Sequence, residues 1–350
     1  MIWKAAFCGY GNIAEIGHTS AITKLEDYLY VCAVADPTLS RLQVAKKHFP
    51  TCHLYSSLEE MYRNENVDVL IVCAPPIYHQ EAIRYGLAHN SNVVCEKPLI
   101  INLEYDELIM AAQKKQRLWY PCHNYKFAPA ILKAKEYIHQ HDLGSPKHIF
   151  LTTLRQTHAS GVKAWNPDWR RQKDIAGGGI LTDHGIHSVY LSVFFAEELP
   201  ISYTGTIQHV GHTNFFETED TAIATLVFPG GAISQIYLTW TASRRYSQIL
   251  IEMERGSITI NDDVLTIRDC SNNILHEENT APTAFNDPSH AGWYEKMYRD
   301  ILKQLESGIS IPFHIEEAKI ATQVIQSIYS SAERDWAMAV HSPSDKEYSP

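Results

Sequence analysis

Three short stretches of this chain combine residue types that do chemistry. The first is Gly177-Gly178-Gly179-Ile180-Leu181-Thr182-Asp183-His184-Gly185-Ile186-His187. Three consecutive glycines give a backbone turn that admits another molecule closely. If a helix begins there, Asp183 and His187 stand at i and i+4 on one face. A carboxylate beside an imidazole orients it and raises its basicity, the usual arrangement of a general base. His184 faces away from that pair and reads as structural. A zinc site from Asp183, His184 and His187 lacks HExxH spacing and a third ligand, so no metal is expected.

The second stretch is Glu96-Lys97-Pro98, directly after the apolar run Asn92–Cys95. If that run is a strand of a parallel sheet, its carboxyl end lines the ligand crevice, and the Lys97 ammonium would stand near a bound cofactor. Taken alone, a loop lysine is more often a solvated charge, and a helical Asp/His pair a surface pair. The third stretch is Gly9-Tyr10-Gly11-Asn12-Ile13-Ala14, a GxGxxA pattern. Gly9 makes the tight turn, Gly11 lets backbone approach a pyrophosphate, and Ala14 lets a helix pack on the preceding strand. Asn12 and Ile13 open that helix, whose N-terminus offers N–H donors to phosphate. Asp36 closes the run YVCAVAD about 20 residues further on, where a carboxylate accepts hydrogen bonds from ribose hydroxyls. It would repel a 2′-phosphate, so NAD is favoured over NADP. Arg41, a further cofactor-side candidate, pulls the other way.

These stretches need particular elements to position them. Ile2–Cys8, Tyr30–Ala35, Val67–Ala74, Asn92–Cys95 and Leu118–Cys122 read as buried parallel strands, with Cys52–Tyr55 as a further short one. Helical segments lie between them at Leu39–His48, Tyr78–Asn90 and Asn102–Lys115, the last with Asn102 as its N-cap and Glu104 and Asp106 in its first turn. Strand and helix alternating in this way predict a doubly wound sheet. After about residue 124 the pattern changes. A helix at Pro129–His139 and a strand at His148–Arg155 precede a polar loop to Gly179. Strand-like runs follow at Ile201–His209, Thr221–Phe228, Ala232–Thr241, Gln248–Glu254 and Ser257–Ile260. Their short turn-rich links predict an antiparallel sheet. Two helices, Trp293–Ser307 and Ile315–Ser331, precede a frayed tail from His341. The expected organisation is a nucleotide-binding domain over residues 1–123 and a second α/β domain over 124–350.

The 350 residues are 45% hydrophobic and carry a formal charge of −10. A net anion is a poor match to nucleic acid or an anionic membrane surface. No apolar run reaches the ~18 residues of a membrane span, and the first residues form no signal-peptide core. The seven cysteines include no CxxC pair. Most end short apolar runs, which reads as buried thiols in a reducing, cytoplasmic compartment.

Taken together, the GxGxxA fingerprint, Asp36, EKP at 96–98 and GGGxxxDxGxH at 177–187 resemble the glucose–fructose oxidoreductase, inositol dehydrogenase and rhizopine catabolism (Gfo/Idh/MocA) family. Smaller matches agree. Ala74-Pro75-Pro76 with His79 resembles the dinucleotide-contacting loop after the fourth strand. His123 to Pro129, with Asn124 and Tyr125, resembles the passage between the two domains, and Trp169-Arg170 an element near the cofactor. The resemblance implies a Rossmann domain followed by a domain on an open, mostly antiparallel sheet, whose outer face makes a homodimer or homotetramer. It implies NAD(P)-dependent oxidation of a secondary alcohol on a sugar, cyclitol or related polyol, or the reverse, with Lys97, Asp183 and His187 as the catalytic set. In that scheme Glu96 joins the cofactor side. Tyr125 and Trp165 join the substrate side, where Trp169, Tyr246 and His290 could add aromatic walls. Arg155, Lys163, Arg170, Arg171 and Lys173 give the loop before the glycines a cationic bias. Two departures stand out. Tyr190 occupies the place where many members carry an Asp three residues after the histidine, and Pro76-Ile77 replaces a common Asn. The alternatives within this frame are an NAD-dependent glycosidase working by transient oxidation, and a cofactor-binding regulator without catalysis.

Overall fold

Two sheets organise the chain, seen in a computed structural model that describes residues 2–99, 105–140, 143–211, 217–280 and 290–338. The first sheet contains β1 (Trp3–Cys8), β2 (Leu29–Ala35), β3 (His53–Tyr55), β4 (Val69–Val72), β5 (Asn92–Cys95) and β6 (Trp119–Pro121), in the order β3-β2-β1-β4-β5-β6. Every pairing in it is parallel. The apolar runs read from sequence are these strands, because both faces are covered. In β1, Ala5 and Phe7 enter one core and Ala6 and Cys8 the opposite one. The order reverses between β1 and β4, and that switch point opens the crevice at the carboxyl ends of the strands.

The second sheet runs β14-β13-β12-β11-β7-β10-β9-β8. Its strands are β7 (Pro146–Leu154), β8 (Ser202–Gln208), β9 (Thr221–Val227), β10 (Ile233–Thr239), β11 (Tyr246–Met253), β12 (Gly256–Asn261), β13 (Val264–Asp269) and β14 (Ile274–Asn279). β7 and β10 pair in parallel and the other pairings are antiparallel. Alternation is plain in β11, where every second residue is buried. The inner face packs on helices Pro129–Gln140, Ile186–Ala196 and Phe313–Met338.

Three features differ from the sequence expectation. β13 and β14 extend the second sheet beyond the last strand expected. A helix at Leu58–Asn64 follows β3, started by Ser57, whose Oγ accepts the Glu60 amide. Helix Ala291–Ser307, assigned from sequence to the second domain, buries Tyr294, Met297, Tyr298 and Ile301 in the core of the first. It approaches so closely that a Cβ on Gly17 would lie 2.7 Å from the Tyr294 ring. The Asn102 cap, Glu104 and the tail from His341 lie outside the described residues.

Candidate active site

One cavity of about 810 Å³ spans the switch point and the edge of the second sheet, within the range of cofactor-plus-ligand sites. Its floor is built by the turns that end β1, β4 and β5. After β1, Gly9 adopts φ +82°, and a Cβ there would lie 2.7 Å from the Ala74 amide nitrogen, so the turns after β1 and β4 touch only because residue 9 is glycine. A Cβ on Gly11 would meet nothing within 4 Å, leaving that backbone open to the cavity. Asp36 closes the side of the crevice, its carboxylate accepting the amides of Tyr10 (2.7 Å) and Thr38 (2.8 Å). Arg41 donates to the Tyr10 carbonyl and to Glu15.

The turn after β5 is anchored by a buried carboxylate. Glu96 accepts hydrogen bonds from the Tyr294 hydroxyl, from His18 Nε2 at 3.0 Å and from the Lys97 amide at 2.9 Å. Burial would raise the Glu96 pKa, but the His18 hydrogen bond and charge outweigh it and hold the group below the usual carboxylate value. Lys97 is thereby aimed across the crevice. Its Nζ donates to the Asp183 carboxylate at 3.0 Å and to the Asp183 carbonyl at 3.1 Å.

Asp183 and His187 come from the second half of the chain. Leu181–Gly185 is a π-helical turn that runs into helix Ile186–Ala196, a wide turn of the kind that marks functional sites. The glycines let this start approach β9. A Cβ on Gly179 would lie 1.9 Å from the Glu219 carbonyl oxygen, and the Glu219 carboxylate accepts the amides of Gly179 and Leu181. Glu219 was not singled out by sequence, and nothing in its surroundings there signals the role.

The expected Asp183–His187 pair does not form. The Asp183 carboxylate is held by Lys97 and by Arg170 Nε at 3.4 Å, because full positive charges outcompete a neutral imidazole. Burial would raise the Asp183 pKa, yet Lys97 and Arg170 keep it well below the usual range. His187 Nδ1 instead meets the Tyr190 hydroxyl at 2.6 Å, one turn on. Tyr190 also accepts the Tyr125 amide at 3.3 Å. The Asp-to-Tyr departure therefore falls on the atom that partners the imidazole. Burial, then the nearby Lys97 charge, pushes the His187 pKa well below its ordinary value. The ring is neutral at ordinary pH, with Tyr125 stacked on it at 3.9 Å.

Gly9, Gly11, Asn12, Ile13, Asp36, Arg41, Ala74, Pro75, Glu96, Lys97, Asn124, Tyr125, Trp165, Trp169, Arg170, Asp183 and His187 all line this cavity. His79 does not. Its Nε2 donates to the Ala74 carbonyl at 2.8 Å from behind the wall, so the ring fastens the loop rather than facing a ligand. His184, read as structural, lines the cavity with its Nε2 3.8 Å from the Asp183 carboxylate. His290 lines it as well; Tyr246, Lys163, Arg171 and Lys173 do not.

The sequence of residues 3–123 matches a model described as an oxidoreductase family with an NAD-binding Rossmann fold, and residues 131–259 match the GFO/IDH/MocA C-terminal domain. The chain belongs to the GFO/IDH/MocA family. Among curated proteins it resembles the D-glucoside 3-dehydrogenase of Escherichia coli (strain K12), 26% identical over 261 residues that cover 71% of this chain and 73% of that one. It also resembles the myo-inositol 2-dehydrogenase of Thermotoga maritima, 26% identical over 246 residues and 69% of each chain. A solved levoglucosan dehydrogenase, in complex with NADH and levoglucosan, superposes with a TM-score of 0.82 at 18% identity, covering 96% of this chain and 98% of that one.

For this GFO/IDH/MocA chain the cofactor is NAD, and the residues present fit it. The open space over Gly11 suits a phosphate. The side-chain oxygen of Asn124 is buried on the cavity wall without a hydrogen-bond partner, as a group awaiting a carboxamide donor would be.

Proposed function

We propose that this chain oxidises a secondary hydroxyl of a sugar, cyclitol or related polyol, or reduces the matching ketone. The observation that carries the reading is the convergence of Lys97 from β5 with Asp183 and His187 from the second half of the chain on one cavity wall. Residues 1–123 supply the dinucleotide side and residues 124–350 most of the substrate side.

NAD, when bound, supplies the acceptor for the hydride of a carbinol carbon. The chain supplies the proton chemistry. With its Nδ1–H donated to Tyr190, neutral His187 presents an Nε2 lone pair that takes the hydroxyl proton, a step worth ~10²–10⁴-fold. Lys97 spends two of its three N–H donors on Asp183 and keeps the third for the substrate oxygen, where it stabilises developing alkoxide charge. Asp183 is the positioning residue for Lys97. Replacing Lys97 or His187 with alanine is expected to cut turnover by at least 100-fold while NAD still binds. A screen of polyols, aminocyclitols and nucleotide sugars, followed by nicotinamide absorbance, supplies the substrate. Near-normal turnover in both variants would overturn the assignment.

The chain acts as a homodimer or homotetramer in the cytoplasm. Tyr237 and Ile223, cross-strand partners on the outer face of the second sheet, are 41% and 49% exposed, an apolar surface suited to a second copy. All seven thiols are free, as in a reducing compartment.

A further inference from the structure

At the substrate end of the cavity, Arg155 follows the end of β7 and is only 4% exposed. Its Nη1 donates to the carbonyls of Leu154 (2.8 Å) and Tyr246 (2.9 Å), and its Nη2 to Ser247 Oγ (2.9 Å). Its Nε is buried with no partner. Among the described residues no carboxylate lies within ion-pair distance of it, whereas Lys97 and Arg170 on the same cavity wall both pair with Asp183. The Asp262 charge reaches it only from beyond ion-pair distance, and a buried guanidinium so weakly balanced is costly.

Its surroundings place it beside the chemistry. The Tyr125 hydroxyl lies against the guanidinium, while the Tyr125 ring stacks on His187 at 3.9 Å. One aromatic ring therefore separates Arg155 from the base. His184 lines the same cavity as Arg155 and Lys97. Burial pushes its pKa down to about 3; the Asp183 carboxylate opposes that shift, and the charges of Arg155, Lys97 and Arg245 add to it. The pyrophosphate side of the cavity, around Gly11 and Asn12, is served by other residues.

The geometry points to a carboxylate on the substrate, seated on Arg155 one ring-width from the hydroxyl that faces His187. The substrate class is then an acidic sugar or polyol, such as a hexuronate or aldonate. This rests on the dehydrogenase reading above and narrows it. One carboxylate oxygen suits the Nε donor that Arg155 has left, in a single charge-assisted hydrogen bond.

The test is calorimetric titration of the enzyme–NADH complex with glucuronate, galacturonate, mannuronate and gluconate. Each is compared with its neutral sugar or alcohol, its methyl ester and the hexose 6-phosphate. At least one acid is expected to bind 10-fold or more tightly than both its neutral counterpart and its ester. That preference is expected to vanish in Arg155→Met and to survive in part in Arg155→Lys, with NADH affinity unchanged. Should Arg155→Met fail to fold, the acid-against-ester comparison in the unaltered enzyme decides alone. Equal or weaker binding of every acid overturns the proposal, as does a phosphate ester that outbinds every acid. Those results leave the dehydrogenase reading intact. That reading fails separately if no polyol, acidic or neutral, yields NADH.

Discussion

Replacing Tyr190 with phenylalanine isolates the least expected contact of the site. The phenyl ring keeps its stacking on His123, 4.0 Å away, so the core is retained. What is lost is the oxygen 2.6 Å from His187 Nδ1, which also accepts the Tyr125 amide at 3.3 Å, in a place closed to water, since His187 is 4% exposed. A buried N–H without an acceptor costs about 1–3 kcal/mol. That cost is largest when the ring becomes imidazolium on accepting the substrate proton, so most of it appears in the barrier. At about 1.4 kcal/mol per factor of ten, kcat falls roughly 5- to 150-fold. KM changes little, because Tyr190 forms no part of the cavity wall. The assay is steady-state NADH formation between pH 5 and 9 with the substrate found by the screen. An imidazolium deprived of its acceptor is harder to form, so the acid limb of kcat/KM moves to lower pH beneath a reduced plateau. Loosened packing alone would lower the plateau and leave the limb in place. A folded variant with unchanged plateau and unchanged limb would refute the role given to Tyr190.

Other consequences follow from single groups. Asp36→Ser removes the carboxylate that would oppose a 2′-phosphate, so the ratio of kcat/KM for NAD over NADP is expected to fall about 10-fold or more, read by parallel assays with the two cofactors. Glu317→Gln removes the charge that Lys126 Nζ meets at 2.7 Å in a buried pair; leaving that ammonium uncompensated costs about 3–5 kcal/mol, measured by urea unfolding. His123 is buried and held down to about 4, chiefly by burial, against 6.5 when unfolded. Between those pH values the unfolded chain binds the extra proton, so stability is full above pH 6.5 and falls as pH drops. This residue contributes a loss of roughly 3 kcal/mol by pH 4, seen as a falling urea midpoint that His123→Gln flattens.

The first sheet is legible in sequence because its strands are buried on both faces, which leaves apolar runs that need no partner to be recognised. Strand ends move by a residue or two, as at Val69–Val72 within the expected Val67–Ala74. β14 is not legible for the opposite reason. Ile274–Asn279 is an edge strand with five of its six residues exposed, and His276, Glu277 and Glu278 give it the look of a loop. The helix at Leu58–Asn64 does carry a signal: Ser57 and Glu60 stand at capping-box spacing, and the Glu60 carboxylate accepts the Ser56 amide in return. The docking of helix Ala291–Ser307 on the first core left none. His18 and Tyr294 share the Glu96 carboxylate although 276 positions separate them in the chain, and no local periodicity encodes such a meeting.

The site shows the same division between spacing and charge. Spacing brought out many of the residues that line the cavity, because motif positions fix which turn or helix face a side chain occupies; His79, Tyr246, Lys163, Arg171 and Lys173 are candidates outside its lining. Spacing could not assign partners within the site. Asp183 and His187 are four apart on one helix, and a pairing rule joins them. The fold instead delivers an ammonium and a guanidinium from other segments to Asp183, and the carboxylate takes the stronger electrostatic partners. His187 is left to a phenol. The consequence is chemical as well as geometric. A carboxylate on Nδ1 would stabilise the imidazolium and raise its pKa, whereas a phenol within reach of the Lys97 charge leaves the ring neutral over a wider pH range. A base so disposed stays competent well below neutrality in the oxidative direction, and its proton, once accepted, is readily given up.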